Sequence, residues 1–275
     1  MLGRDVCAAA HAAGHEVWAA AREDVDITDA DAVGREVRRA RPAAVVNCAA
    51  WTDVDGAEAD EAAATLVNGA GAGHVAAAAA AAGALAVHVS TDYVFDGRGS
   101  APYREDDETG PLSAYGRSKL AGERAVVARA PDRHAIARTS WLVGRHGGNF
   151  VATMLRLGAE RDEVTVVDDQ VGCPTYTGHL AAALLALAEG SRHGTFHVVG
   201  SGACSWYDLA VRTFERSGNE CGVRRGRTAD LDRPAPRPAY SVLGVTRAGT
   251  PVLPAWEQGL DDYLAARAAE SVASR

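Results

Sequence analysis

Apolar strand patterns alternate with helical patterns through the first two-thirds of this chain of 275 residues. Short apolar runs predict strands at 16–20, 43–48, 86–90 and 134–139. Helical patterns between them occupy 2–13, 70–82 and 113–129, and a further helix follows Thr28 as its cap and ends before Pro42. Such alternation builds a parallel sheet covered by helices on both faces. We therefore predict an α/β chain with a doubly wound parallel sheet.

The texture of the sequence changes after about residue 144, where prolines divide the chain into shorter elements. These prolines are Pro174, Pro234, Pro236, Pro238, Pro251 and Pro254. Strands are predicted at 164–167 and 195–199, and Ser205 with Asp208 predicts a capped helix start. We expect a first domain over 1–143 with returns from about 164–200, and a smaller second domain mainly within 144–275.

Composition argues against several classes of protein. The formal net charge of -8 gives no basic face for nucleic acid. No apolar run reaches the length of a membrane span, and the first residues are not those of a signal peptide. Five cysteines without a CxxC pair predict neither a disulfide framework nor a zinc ribbon, which favours a cytoplasmic protein. His11 and His15 share a helix face, but we interpret them as partly exposed residues and predict no metal site.

Tyr115 and Lys119 form the strongest local pattern, because residues four apart lie on one helix face. Lys119 is the only lysine beside 27 arginines, and arginine replaces lysine poorly where a compact ammonium must sit beside a phenol or a ribose. A phenol has a pKa near 10, which a nearby ammonium lowers. Tyr115 could then protonate a carbonyl oxygen, with Thr91 donating a second hydrogen bond to that oxygen.

Polar residues follow the predicted strands at the points where those strands end. Asn47 ends one strand, Ser90 and Thr91 end the next, and Thr139 and Ser140 end another. Ligands of doubly wound sheets bind at the carboxyl ends of the strands. We therefore expect the site at this edge.

An ordered set of motifs resembles the extended short-chain dehydrogenase/reductases and, within them, the dTDP-4-dehydrorhamnose reductase family. The motifs are Asp-Ile-Thr-Asp at 26–29, Asn-Cys-Ala-Ala-Trp-Thr at 47–52 with Val54, Asp55, Ala57 and Glu58, Val-Asn at 67–68, Ser-Thr-Asp-Tyr-Val-Phe-Asp-Gly at 90–97, Arg-Thr-Ser-Trp at 138–141, Gly-Asn-Phe at 148–150, Asp169 to Thr175, Ser-Trp-Tyr at 205–207, Arg-Pro at 237–238, and Trp256, Leu260 and Leu264. The resemblance runs over nearly the whole chain and implies a Rossmann-type sheet with a smaller C-terminal substrate-binding domain.

The resemblance also implies roles for individual residues. Thr91, Tyr115 and Lys119 would be catalytic. Cofactor contacts are implied at Gly3, Arg22, Asp26, Ile27, Ala49, Ala50, Trp51, Ser90, Tyr115 and Lys119. Substrate contacts are implied at Thr91, Asp92, Val94, Trp141, Asn149 and Arg237. Trp141 would lie against the sugar ring, with a core aromatic as the alternative. Asn149 and Arg237 would hold the sugar or diphosphate, with an ordinary loop charge as the alternative for Arg237.

The implied activity is NADPH-dependent reduction of the C4 ketone of dTDP-4-dehydro-L-rhamnose to dTDP-L-rhamnose. Two alternatives remain open: reduction of another dTDP-4-keto-6-deoxysugar in antibiotic glycosylation, and a non-catalytic dinucleotide-binding regulatory subunit. The residues leave open whether the protein is a monomer or a homodimer, and whether it depends on Mg²⁺.

Arg22 carries the preference for NADPH over NADH. The predicted strand at 16–20 is followed by Ala21 and Arg22, with no carboxylate where NAD-binding sheets hold the ribose. An arginine there suits a 2′-phosphate. The alternative is a solvated Arg22 screened by Glu23 and Asp24, which leaves NADH open.

The N-terminus departs from the family pattern, which opens with a strand and a Gly-rich turn. Only Gly3 of that phosphate loop is present here. We expect the absent strand to leave its neighbours with unpaired backbone groups and to remove amides that cradle a pyrophosphate. Two explanations remain open: translation starts upstream of Met1, which we favour because the catalytic residues are intact, or the chain is truncated and has lost cofactor binding.

Overall fold

The computed structural model describes residues 1–190 and 193–273. The helices are α1 (Leu2–Ala12), α2 (Ala30–Ala40), α3 (Val54–Ala59), α4 (Glu61–Thr65), α5 (Ala72–Ala81), α6 (Ala114–Arg129), α7 (Phe150–Glu160), α8 (Thr177–Glu189), α9 (Trp206–Ser217) and α10 (Trp256–Ala273). The strands are β1 (Ala44–Asn47), β2 (Leu85–Thr91), β3 (His134–Thr139), β4 (Leu142–Val143), β5 (Glu163–Val167), β6 (Val171–Gly172), β7 (Thr175–Tyr176), β8 (Gly194–His197), β9 (Cys204–Ser205) and β10 (Gly222–Gly226). A π-helical turn (Leu66–Gly71) precedes α5, and 3₁₀ turns cover Asp92–Val94 and Thr228–Asp230.

The main sheet has the order β1-β2-β3-β8, and its paired strands are parallel. Helices α1 and α8 cover one face, where Leu2 and Leu184 pack with Val87 and Phe196. Helices α5 and α6 cover the other face, and α2 packs outside α5. The predicted doubly wound α/β fold is confirmed, because apolar strands buried on both faces need helices on both sides.

The strand predicted at 16–20 is wrong. This segment has no assigned strand, and the only one of its residues that is not exposed is Val17, which is half-buried. Within the described residues, β1 pairs only with β2 and is the edge strand of the sheet. The segment at 16–20 therefore has no neighbouring strand with which to pair. An extended segment gains ladder hydrogen bonds only from a neighbouring strand, and local sequence cannot supply one.

The cap of α2 is displaced by one residue from the prediction. Asp29, not Thr28, accepts hydrogen bonds from the backbone amides of Asp31 and Ala32, at 3.0 and 2.9 Å. Thr28 instead donates its hydroxyl to Asp26 at 2.8 Å. Both residues are good caps, and the Asp26 turn decides between them.

The second region is built from α7, α9 and α10 with short strand pairs, and it corrects the predicted domain ranges. Strand β5 pairs in parallel with β10 in a separate sheet, so 164–167 does not return to the main sheet. The chain returns to the first domain at α8, which packs on α1, and then adds β8 to the main sheet. Hydrophobic pattern predicted β5 as a strand but could not name its partner.

Of the helices in the described part of the chain, none is both long and apolar enough to cross a membrane.

Candidate active site

Helix α6 carries Tyr115 and Lys119 to the carboxyl end of β2. Ser113 caps the helix by accepting the amide of Gly116 at 3.1 Å. A Cβ at Gly116 would lie 2.3 Å from the carbonyl oxygen of Tyr93. Only glycine therefore lets the start of α6 approach the turn that follows β2 so closely.

Thr91, Tyr115 and Lys119 come together at this edge. The Thr91 hydroxyl lies close enough to the Tyr115 phenol to affect its pKa. The ammonium of Lys119 is 2% exposed and donates to the carbonyl oxygen of Val89 at 2.7 Å. The Tyr115 ring packs edge-on against Tyr93, with centroids 5.7 Å apart. Strand β2 therefore carries the hydroxyl of Thr91, and helix α6 places the phenol of Tyr115 and the ammonium of Lys119 beside the end of that strand.

The expected lowering of the Tyr115 pKa is wrong for this structure. Burial raises the pKa of Tyr115 to about 12, the neighbouring Thr91 hydroxyl opposes this rise, and the charge of Asp92 adds to it. Burial also lowers the pKa of Lys119 to about 8. The Lys119 ammonium donates to a backbone carbonyl. Loss of hydration on burial therefore has the largest effect on the pKa of both groups. A phenol that stays protonated at neutral pH is a proton donor rather than a base.

Buried polar atoms without partners mark the same edge. Thr91 donates to Asp92 Oδ1 at 2.9 Å, whereas Asp92 Oδ2 has no hydrogen-bond partner among the described residues, nor have the hydroxyls of Thr139 and Thr177. Burial raises the pKa of Asp92 to about 6. Native proteins leave few buried polar atoms unpaired. This edge therefore fits a polar ligand that completes these bonds.

The predicted cofactor residues line a band from α1 to the loop after β1. Gly3 lies in the first turn of α1, whose start has no side-chain cap, so its amides suit a phosphate. The amide of Trp51 donates to Asn68 Oδ1 at 2.8 Å, and the amide of Ala49 donates to Asn47 Oδ1 at 3.1 Å. Ala50 lies between them and is half-buried. These contacts fix the backbone of the loop.

The other predicted cofactor residues lie in the segment before α2 or near the end of β2. Arg22 and Asp26 are exposed, and the carbonyl of Ile27 accepts from His74 at a distance of 3.0 Å. The hydroxyl of Ser90 points away from this band and donates to Glu123 at 2.6 Å.

The predicted sugar-side residues each have a protein partner. Trp141 has φ of 47° and stacks on Trp206 with ring centroids 3.5 Å apart. Asn149 caps α7 through Ala152 and donates to the carbonyl of Gly144 at 2.8 Å. The Val94 side chain is fully buried in a core cluster with Phe95 and Tyr103.

Arg237 donates from both terminal nitrogens to Asp55, with Nη2 and Oδ2 2.8 Å apart. Hydrogen bonding by Arg237 has the largest effect on the pKa of Asp55, which it lowers. The pair ties the loop before Pro238 to helix α3. Arg237 is therefore a neutralised, half-enclosed cation rather than an ordinary loop charge.

Sequence reasoning missed Glu123, and it noted Asn68, Arg138 and Trp206 only as parts of motifs. Asn68 donates to the Trp51 carbonyl at 3.1 Å and to the Ser118 hydroxyl at 2.8 Å. It thereby joins the loop after β1 to helix α6. The spacing of Tyr115, Lys119 and Glu123 at i, i+4 and i+8 would have found Glu123.

Within residues 1–190 and 193–273, no group of three or more histidine, cysteine or acidic side chains is arranged to hold a metal ion.

The doubly wound parallel sheet, with a threonine, a tyrosine and a lysine at its carboxyl edge, resembles that of the extended short-chain dehydrogenase/reductases. Comparison with known proteins agrees. The family model described as RmlD substrate binding domain matches residues 1–269. This chain belongs to that family, and it is an oxidoreductase.

Individual relatives are similar over most of their length. The dTDP-4-dehydrorhamnose reductase of Streptomyces griseus is 47% identical, over 95% of this chain and 89% of its own. The dTDP-4-keto-6-deoxy-D-glucose reductase of Streptomyces niveus is 49% identical, over 89% of this chain and 85% of its own. A crystal structure of the dTDP-4-dehydrorhamnose reductase of Bacillus anthracis in complex with NADP has a TM-score of 0.93 and 36% identity, covering 96% of this chain and 95% of that one.

Proposed function

We propose that this protein uses NADPH to reduce the C4 ketone of dTDP-4-dehydro-L-rhamnose to the alcohol of dTDP-L-rhamnose. The observation that carries the proposal is the meeting of Thr91, Tyr115 and Lys119 at the carboxyl edge of the sheet. The names of the relatives support a dTDP-linked 4-keto sugar as substrate. The NADP complex of a structural relative supports the cofactor.

The residues at the edge supply a proton and two donors for the carbonyl oxygen. When bound, NADPH supplies a hydride to the carbonyl carbon. Tyr115 gives its phenolic proton to the oxygen, and its raised pKa keeps that proton in place beforehand. The Thr91 hydroxyl, which donates to Asp92 in this structure, would turn its single proton to the ketone oxygen and so stabilise the negative charge that develops there. Lys119 keeps a positive charge beside the phenol, and two of its three donors are free of the Val89 contact.

Residues around this edge would hold the two ligands. The α1 start with Gly3 would meet the pyrophosphate, Arg22 the 2′-phosphate, and the backbone of 49–51 the nicotinamide half. The unpaired oxygen of Asp92 would accept a sugar hydroxyl. Trp141, Asn149 and Arg237 would complete the sugar and diphosphate contacts.

The test is NADPH oxidation with dTDP-4-dehydro-L-rhamnose, with the product identified by chromatography. The chain is assayed both alone and extended by the residues encoded immediately upstream in frame. NADPH binding is followed separately by its fluorescence. Turnover that is abolished in Tyr115→Phe and mostly lost in Lys119→Arg, with NADPH still bound, is the expected result.

Two other outcomes would redirect the assignment. Turnover only with a different dTDP-4-keto-6-deoxysugar would keep the chemistry and change the substrate. NADPH binding without turnover of any such sugar, and no effect of Lys119→Arg on that binding, would favour a non-catalytic dinucleotide-binding subunit.

A further inference from the structure

A buried charged network lies directly beneath the catalytic edge. Glu123 accepts the hydroxyl of Ser90 at 2.6 Å and two guanidinium nitrogens of Arg138, at 2.9 and 2.7 Å. The side chains of Glu123 and Arg138 are each 6% exposed. Among the ion pairs of the described residues, it is the only pair with both side chains buried. The remaining guanidinium nitrogen donates to the Glu105 carbonyl at 3.2 Å.

The network joins the three elements that build the catalytic edge. Ser90 and Arg138 are register partners on β2 and β3, one residue before Thr91 and Thr139. Glu123 lies on α6, one turn after Lys119 and two turns after Tyr115, on the same helix face. Three short bonds on one carboxylate therefore fix the axial position of α6 against both strand ends. A shift of α6 would move the phenol and the ammonium together relative to Thr91.

The same carboxylate acts on the charge of Lys119. Burial is the first cause that lowers the pKa of Lys119, and the negative charge of Glu123 opposes it. His88 on β2 and Cys48 after β1 also interact with the charge of Lys119. Burial lowers the pKa of His88 and raises the pKa of Cys48 to about 12, so both are neutral at pH 7. Glu123 thus supplies the anionic charge near Lys119 among these groups, and the Arg138 cation on β3, which is paired with it, partly offsets that charge.

We propose that Glu123, held by Arg138 and Ser90, is a positioning residue that keeps Lys119 cationic and seats α6 at reacting distance from Thr91. The inference rests on the proposed function for its consequence, but its electrostatic part does not. A buried ion pair is weak evidence for stability, since well-packed apolar residues often replace one without loss. The contact of Glu123 with Ser90, the residue before Thr91, favours a role in positioning the catalytic edge instead.

The single lysine of the chain permits a direct test without cofactor or substrate. Protein grown with lysine labelled with carbon-13 at Cε gives one such resonance, and its pH titration reports Lys119 alone. The variants are Glu123→Gln and the double variant Glu123→Leu with Arg138→Met, which removes both charges and keeps packing volume. The matched control is Glu61→Gln, because Glu61 pairs with Arg117 of the same helix but is 45% exposed. Near-ultraviolet circular dichroism verifies that each variant is folded.

We expect a midpoint near 8 for the unaltered protein. The folded double variant should titrate lower, by up to about one pH unit, because the anion nearer to Lys119 along α6 is gone and the loss of the Arg138 cation offsets only part of that change. The Glu61→Gln midpoint should not move. In the reductase assay, the alkaline limb of kcat/KM should shift by the same amount and kcat should fall about tenfold, while the KM for NADPH is unchanged.

A folded double variant that keeps both the midpoint and kcat would overturn the proposal and leave the network purely structural. If the protein reduces no sugar, the lysine titration still decides the electrostatic part, so the two failures are distinguishable. Glu123→Gln alone leaves Arg138 buried and unpaired, and it is expected to lower the midpoint further than the double variant.

Discussion

The edge that carries Thr91, Tyr115 and Lys119 differs from the predicted sugar side in whether its buried polar atoms have hydrogen-bond partners. At the edge, Asp92 and Thr139 keep buried oxygens without partners. On the sugar side, Trp141 stacks on a tryptophan, Asn149 caps a helix and Arg237 pairs with an aspartate. Both regions were predicted from the same resemblance, yet one is open to a ligand and the other is satisfied by protein.

The difference separates two ways of building a site. Unpaired buried groups cost stability, and they are retained where a ligand or a reacting atom completes them. Satisfied groups contribute to stability already, so a ligand must replace their partners or bind beside them. Substitution of Tyr115 should therefore change rate more than stability, and substitution of Asp92 should recover the stability that its unpaired oxygen costs. Substitutions on the sugar side should change stability at least as much as binding.

The largest effect is expected at Tyr115. Tyr115→Phe removes the proposed proton donor and should lower kcat by about 10²- to 10⁴-fold, the usual contribution of general acid catalysis. The free energy of unfolding should change little, because the ring still packs against Tyr93. Stopped-flow NADPH oxidation and urea denaturation measure the two quantities.

Tyr207→Phe is the matched control, since Tyr207 lies on α9, outside the elements that build the edge, with its ring against Arg225. This variant should keep full activity. A Tyr115→Phe variant with normal kcat would contradict the proposal that the edge supplies a proton to the substrate.

Asp92 tests the stability cost of the edge. Its pKa is raised from 3.8 to about 6 by burial. The folded state thus holds a proton that the unfolded state has lost between these pH values, and the resulting stability disappears as pH rises through 6. At pH 7 the folded protein carries a costly buried carboxylate. Asp92→Asn should therefore raise the free energy of unfolding at pH 7 by about 1–3 kcal/mol, and the gain should vanish below about pH 4.

Asp96→Asn gives the opposite sign and serves as the control. Hydrogen bonding by Tyr103 lowers the pKa of Asp96, so its charged form favours folding, and the substitution should reduce stability at pH 7. Urea titrations at several pH values distinguish the two. If Asp92→Asn destabilised the protein at pH 7, the carboxylate would be well compensated and the edge would not be under strain of this kind.

Local sequence could predict the elements of the edge but not the partners between distant segments. His134–Thr139 matches its predicted bounds, and Ser113 and Ser205 cap helices as expected. These features depend on hydrophobic period and capping chemistry within a few residues. The meeting of Thr91, Tyr115 and Lys119 also follows, because parallel strands end at one edge and i, i+4 residues share a helix face.

The partners of Arg237 and Glu123 lay beyond such reasoning. Arg237 and Asp55 are 182 positions apart, and neither shows which opposite charge it meets. The pKa of Tyr115 was predicted in the wrong direction for a related reason. Proximity of Lys119 was visible in the sequence, whereas the burial that dominates both groups is a property of the packed fold.

The ion pair of Arg237 and Asp55 sharpens the comparison on the sugar side. Asp55→Ala and Arg237→Ala should each lower the free energy of unfolding by about 1–2 kcal/mol, because each breaks a bidentate, charge-assisted pair. The double variant should lose less than the sum of the two, since they share one interaction. Urea denaturation of the four proteins in the cycle gives the coupling energy.

Steady-state kinetics on the same variants separates binding from structure. If Arg237 also contacts the diphosphate, Arg237→Ala should raise the KM for the dTDP-sugar beyond the effect of Asp55→Ala. Equal KM values for the two variants would assign Arg237 to the interior of the protein and remove it from the substrate site.

The smallest effect is expected at Asn149, where capping and substrate binding make separable demands. Asn149→Ala should cost about 1 kcal/mol of stability, the usual value of a helix cap. Ser205→Ala, which removes the cap of α9, should cost a similar amount and leave the KM unchanged. Asn149→Asp keeps the oxygen that accepts from Ala152 but loses the amide donor to Gly144. If Asn149 only caps α7, the aspartate variant should recover most of the stability and a normal KM. A KM that stays raised in the recovered variant would show that the amide nitrogen faces the sugar, and the sugar side would then resemble the edge more than its contacts indicate.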